Sequence, residues 1–288
     1  MIALVAGADA SGSALFVGGA FLMAGGSPAD MVARWSGSSW SGVPGPTCGT
    51  SSGRRVEALA FYDDGTGPGL YAGGYFTSIG GVAARSIAKL AGTSWQPLSQ
   101  GIGRTDTNGL FLTGLVSSMA VFDGGDGPEL VVGGLFTRAG EGEGLAKSVA
   151  RWNGESWAPL GGGLDTYFTA LTTLASGVQA LSVFDDGSGP ALFAAGSFTG
   201  ASEAAFHGIA KWNGESWLPL GEGLADNGTG GMAMAQFEGN LVVGGGFTTA
   251  SGMAARGVAR WGASGWSVFG SSVSGAVSAL ALFDDGTG

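Results

Sequence analysis

The chain has 288 residues, 44% of them apolar and only 12% charged, with a net charge of −10. So apolar a chain with so little charge is not disordered, and its acidic balance excludes a partner held through a phosphate backbone, so no nucleic acid is expected. The single cysteine, Cys48, excludes an internal disulfide and a thiolate metal cluster, and no run of about 18 apolar residues predicts membrane insertion.

The first predicted element opens the chain. MIALVAGADASGSALFVGGAF (residues 1–21) reads as two strands and not as a leader, because no basic residues precede the apolar run. The same frame returns without a gap as VEALAFYDDGTGPGLYAGGYF (56–76), VSSMAVFDGGDGPELVVGGLF (116–136) and VQALSVFDDGSGPALFAAGSF (178–198). A shortened copy covers 232–247, and VSALALFDDGTG (277–288) begins another. Self-similarity at this period marks an array of one small unit. The predicted domain is a single one, 1–288, with repeats at about 1–55, 56–115, 116–177, 178–230 and 231–276, and a partial one at 277–288.

Within the second copy, apolar runs predict strands at 56–62, 70–76, 86–90 and 94–98. Asp63-Asp64-Gly65-Thr66-Gly67-Pro68 is a cluster of turn formers between the first two. The Gly-Gly pair closing the second strand marks close backbone approach or a bulge. The third and fourth strands carry a basic–Trp–x–Gly–x–x–Trp pattern. All nine tryptophans fall in its two aromatic columns: Trp35 and Trp40, Trp95 alone in the second copy, Trp152 and Trp157, Trp212 and Trp217, Trp261 and Trp266. So regular a spacing predicts packing, each indole wedging against the next sheet.

A four-stranded sheet cannot bury both faces alone, whereas copies arranged radially can. The expected fold is therefore all-β: a β-propeller of four-stranded antiparallel blades, five full repeats plus the first strand of a sixth. LYAGGYF followed by SIAKL and SWQPL resembles a kelch-type blade, although the two aromatic positions stand only five residues apart. The phrases also resemble long repeat proteins of bacterial surfaces and fungal cortical polarity markers. That resemblance implies an exported or cell-surface module. The partial sixth copy implies either a fragment of a larger propeller or competition with residues 1–6 for a place in the first blade.

Propeller geometry sorts the loops onto two faces. One collects acids, and there Asp63, Asp64, Asp185 and Asp186 are candidate calcium ligands, set against plain turn chemistry. The other carries a column five residues before the first aromatic of the pattern: Asp30, Arg85, Lys147, His207 and Arg256. Long linkers between repeats add Arg104, Phe111, Tyr167 and Phe168, residue types suited to a protein or carbohydrate partner. No cofactor is expected beyond that calcium candidate.

An enzyme is not expected. The copper radical oxidases among kelch-type propellers need at least two histidines, and His207 is the only one. Gly49-Thr50-Ser51-Ser52-Gly53 matches a nucleophile-elbow string but sits in a linker. The expected function is a non-catalytic binding or structural module, with a lectin or a polysaccharide hydrolase or lyase as alternatives.

Overall fold

The structure is a computed structural model. It describes residues 3–9, 11–43, 45, 53–106, 108–140, 145–166, 177–201, 204–205, 207–225, 230–270, 273–283 and 286. Cys48, most of the 49–53 string, Tyr167, Phe168, Asp284 and Asp285 lie outside the described residues.

Among the described residues every regular element is a strand, and each complete repeat forms one four-stranded antiparallel meander. The first sheet comprises Ala3–Asp9, Gly12–Gly18, Val32–Trp35 and Trp40–Gly42. The second comprises Arg55–Asp63, Pro68–Tyr75, Ile87–Ala91 and Ser94–Pro97. The third runs through Leu115–Asp123, Pro128–Leu135, Val149–Trp152 and Trp157–Pro159. The fourth has Val178–Asp185, Pro190–Gly196, Ile209–Trp212 and Trp217–Pro219. The fifth has Gly231–Phe237, Asn240–Gly245, Val258–Gly262 and Gly265–Val268. The first hairpins run longer than expected. Pro68 and Pro190 open their strands opposite Asp63 and Asp185, positions at which a proline forfeits no essential ladder bond. The chain divides into two compact units, Met1–Val121 with Pro128–Leu160, and Phe122–Gly127 with Gly161–Gly288.

The Gly-Gly pair has two separate causes. A Cβ on the second glycine would lie about 2 Å from a carbonyl oxygen of the first residue of the neighbouring first strand or of the residue just before it: 2.1 Å at Gly74, 1.9 Å at Gly134, 2.1 Å at Gly196 and 2.2 Å at Gly245. In the second, fourth and fifth sheets the first strand bulges at this point, so its backbone crowds the glycine. The first glycine instead makes room for the opening residue of the next repeat. A Cβ at Gly18, Gly73 or Gly244 would meet Cγ1 of Val56, Val116 or Val277 at 2.5, 2.5 and 2.7 Å. Where this glycine becomes Ala195, the facing valine becomes Gly231, and a Cβ there would meet the Ala195 Cβ at 2.7 Å.

A left-handed residue opens the third strand of every sheet: Met31, Ser86, Ser148, Gly208 and Gly257, with φ between 62° and 77°. Its N–H donates to the carbonyl of the phenylalanine ending the GGxF phrase, and its own carbonyl accepts from the second glycine. In the second sheet these bonds are Ser86 N to Phe76 O and Gly74 N to Ser86 O, both 2.9 Å. Two bonds per turn hold three non-glycine residues in a conformation they rarely adopt.

The core lies between successive sheets within each unit. Trp95 joins Phe16, Met31 and Val32 of the first sheet, and Trp152 joins Tyr62, Tyr71 and Ile87 of the second. The indoles thus pack toward the preceding sheet, a correction to the expected direction. Four sheets also pair their two indoles across the third–fourth hairpin, with centroids 5.2 to 5.5 Å apart. Trp157 and Trp266 donate Nε1–H to the carbonyls of Leu98 and Leu220, just past the end of the preceding sheet.

Val277 docks as the other repeat openings do, its N–H donating to Gly245 O as that of Val56 donates to Gly19 O. Residues 278–283 then enter no sheet, and Ala3–Asp9 keeps its place in the first sheet.

Candidate functional site

The acidic turns are explained by two different jobs. The leading aspartate folds the turn itself. Asp63 Oδ1 accepts from Gly65 and Gly67 N–H, both at 3.0 Å, and Asp123 and Asp185 repeat this pair of bonds. The second aspartate binds the cation that precedes the tryptophan column. Lys89 Nζ reaches Asp64 Oδ1 at 2.7 Å, Thr66 Oγ1 at 2.8 Å and Gly67 O at 3.0 Å, so all three of its protons are placed. Tyr71 donates its hydroxyl to the other carboxylate oxygen at 2.7 Å. Lys211 repeats the arrangement with Asp186 and Ser188, and Trp261 Nε1 donates to Asp186 Oδ2.

The same pairing appears as Arg34–Asp9 in the first sheet and Arg151–Glu129 in the third. In the fifth sheet, where the turn shortens to Glu238-Gly239, Arg260 donates to Ser267 instead. Burial alone would raise the carboxyls. The bonds from Lys89, Thr66 and Tyr71 outweigh it and hold Asp64 well below the ordinary range. Asp186 is likewise lowered, to about 2, by Lys211, Ser188 and Trp261 acting against its burial. Burial, then the Asp64 carboxylate, raise Tyr71 far above an ordinary phenol. At Asp64 and Asp186 the carboxylate pairs with a lysine ammonium. Among the described residues no three His, Cys, Asp or Glu side chains gather to hold a metal.

The cationic column is brought together only in part. Asp30 is buried and paired with Arg54, which the sequence reading did not foresee, and it also accepts from Gly80 N–H. Arg85 is half-buried, its guanidinium 4.7 Å from the Phe111 ring centroid. Lys147 is half-buried, while His207 and Arg256 are exposed, and they stand on the third, fourth and fifth sheets. The backbone of this column explains its position. The carbonyls of Arg85, His207 and Arg256 accept from Ile102, Leu224 and Val273, fastening each linker as it leaves its sheet.

One linker departs from the repeat. Ile102–Thr105 and Phe111–Thr113 form a hairpin, and Arg138–Ala139 adds a third strand to it. Its turn is closed by Asp106 Oδ1, which accepts from Asn108 and Leu110 N–H. The register sets Thr105 beside Phe111 and Gly103 beside Arg138, so these share one face, and Arg138 donates to Thr105 Oγ1. Arg104 lies opposite Leu112 on the other face and is exposed, as is Leu110. Arg138 was missed in the sequence. The hairpin itself had a legible signal, the turn-forming run Asp106-Thr107-Asn108-Gly109 between two extended stretches.

No family model matches the chain, and no curated protein does. Among solved structures it is similar to the extracellular domain of a hybrid two-component system from B. thetaiotaomicron, at 11% identity and a TM-score of 0.37. The match covers 89% of this chain and 27% of that one. A TM-score that low does not establish a shared topology. No helix among the described residues is long and apolar enough to cross a membrane.

Proposed function

We propose that the chain is a non-catalytic binding or structural module of an exported or cell-surface protein, its sheets serving as blades of a kelch-like β-propeller. One observation carries the reading. Carboxylates of the acidic turns are spent on bonds that recur between sheets, as at Lys89–Asp64 and Lys211–Asp186. Among the described residues one linker builds a hairpin of its own, which carries exposed and half-buried Arg and Phe side chains. Function on a regular scaffold resides in such departures. The partner is a protein or a carbohydrate met by Arg85 and Phe111, whose side chains lie together at this hairpin; Arg104 on its other face, and Lys147, His207 and Arg256 on other loops, are separate candidates.

The test has two arms. A screen of polysaccharides with the intact chain is expected to release no reducing ends and no unsaturated products; release of either overturns the reading. Glycan and peptide arrays then compare the parent with an Arg85→Ala/Arg104→Ala/Phe111→Ala variant of unchanged melting temperature. Equal binding by the variant places the contact elsewhere, and a glycan hit assigns the module as a lectin.

A further inference from the structure

We propose that the outer edge of the linker hairpin, Phe111–Thr113, receives an extended acidic segment of another protein as an added strand, one of whose carboxylates pairs with Arg85. The inference rests on the binding-module reading above and names the class of partner. It starts from the ladder. Among the described residues Phe111–Thr113 is outermost in its three-stranded sheet, bonded on one side to Ile102–Thr105. The bonds from Gly114 N to Ile102 O and from Asp106 N to Leu110 O fix which residues face inward. Alternation then turns the main-chain groups of Leu112 toward Arg104, its register partner, and those of Phe111 and Thr113 outward. Each of these two residues offers an N–H and a C=O at the spacing an added strand uses.

Several other edges of the fold are blunted. The fourth strand is an edge of its sheet, and in the second, third and fourth sheets it ends in Pro97, Pro159 and Pro219. The bonds from Asn153 N to Ser156 O and from Asn213 N to Ser216 O set the alternation there, and it puts Pro159 and Pro219 where an N–H would have faced outward. Such prolines discourage strand addition. Phe111-Leu112-Thr113 carries no proline and no charge, and its phenylalanine and threonine favour extended backbone.

The chemistry of the occupant follows from the guanidinium beside this edge. A Cβ at Gly103 would stand 2.5 Å from Phe111 Cε2 and 2.6 Å from Cζ, so the ring fills the space a side chain there would take. Arg85 is set against that ring, 4.7 Å from its centroid. Arg34, Arg54, Arg55 and Arg151 each pair with a carboxylate. Half-buried Arg85, among the described residues, makes no ion pair and no side-chain hydrogen bond. The hairpin's own carboxylate, Asp106, is taken up by the N–H groups of Asn108 and Leu110, and Arg138 adds a second guanidinium on the Phe111 face. An arginine stacked on a ring keeps its N–H donors for a carboxylate. A residue opposite Phe111 in an added strand shares that face, so this position takes the glutamate or aspartate.

The experiment uses the whole chain and an array of octapeptides with glutamate at the fourth position and Val, Thr, Ile or Tyr at the others, each with a glutamine twin. A subset is expected to bind one-to-one in calorimetry, the twins at least about tenfold more weakly. Hydrogen exchange is expected to slow at the amides of Phe111 and Thr113 and to stay unchanged at Leu112, which is already bonded. Thr113→Pro removes an outward donor without touching a ladder bond and is expected to weaken binding at least about tenfold. N-methylation of the peptide at alternate residues tests the same bonds with the parent chain. Arg85→Gln is expected to abolish the preference for glutamate over its twin. The proposal is overturned if no octapeptide binds, if the twins bind equally, or if bound peptide leaves the amides of Phe111 and Thr113 exchanging freely. Binding of oligogalacturonate through Arg85 with those amides unprotected overturns it and leaves the binding-module reading standing, whereas release of polysaccharide fragments removes both.

Discussion

Gly231→Val tests whether the sheets are matched in size along the Gly-Gly column. In the other pairs the order is glycine then valine, as at Gly73 and Val116. Here it is Ala195 then Gly231, so a valine at 231 meets a methyl group that its counterparts do not. Its Cβ would stand 2.7 Å from the Ala195 Cβ, 3.1 Å from Val243 Cγ1 and 3.3 Å from Leu224 Cδ1. Carbon atoms rest at about 3.5–4.0 Å, so the first contact is about 1 Å too short. Both backbones are held in sheets, and overpacking of this kind costs roughly 1–3 kcal/mol. Ala195→Gly alone loses a buried methyl and adds backbone freedom, about 1–2 kcal/mol. The double variant rebuilds the arrangement of the other repeats, so its loss is expected to fall short of the sum by about 1–2 kcal/mol. Urea unfolding followed by tryptophan fluorescence measures the cycle. A coupling indistinguishable from zero would refute the account of the glycine column.

Lys89→Met leaves the Asp64 carboxylate buried without its counter-charge and is expected to cost about 3 kcal/mol in denaturant unfolding, part of which Asp64→Asn in the same chain restores. Stability is also expected to fall with acid. Asp186 lies at about 2 in the fold against an ordinary 3.8, so its contribution is complete above about pH 4 and disappears as pH falls toward 2. That contribution is on the order of 1–2 kcal/mol, and Lys211→Met should flatten this limb of the pH profile. Trp266→Phe retains the ring contact with Trp261 but loses the donor to Leu220 O, leaving that carbonyl one partner short; about 1 kcal/mol is the expected loss in the melting curve.

The residues placed in the site divide along the same physical lines as the fold. Turn chemistry is local, and Asp63, Asp123 and Asp185 could be read as turn-folding residues because the donors are two and four residues away. The strands and their meander followed from the periodic phrase for the same reason, since each sheet is built from a contiguous stretch of chain. The partners of Lys89, Lys211 and Arg34 lie 25 residues away in the sequence, and nothing in a one-dimensional pattern separates a ligand-binding carboxylate from one that neutralises a lysine across a sheet. The same holds for Arg85 over Phe111 and for Arg138 beside Thr105, contacts made by a linker folding back on its own scaffold.

The sequence by itself determined the repeat, the all-β class, the hairpin turns and the tryptophan columns, because these rest on short-range preferences and on a period that any copy displays. Tertiary structure alone decided what the periodicity is for. It separated the two glycines of each pair into one that yields to its own first strand and one that yields to the next repeat. It turned the acids of the turns and the basic residues before the first aromatic column into ion pairs across a sheet. It also left Phe283 exposed where its equivalents Tyr62, Phe122 and Phe184 are buried, since burial depends on a neighbouring strand and not on the residue that needs it.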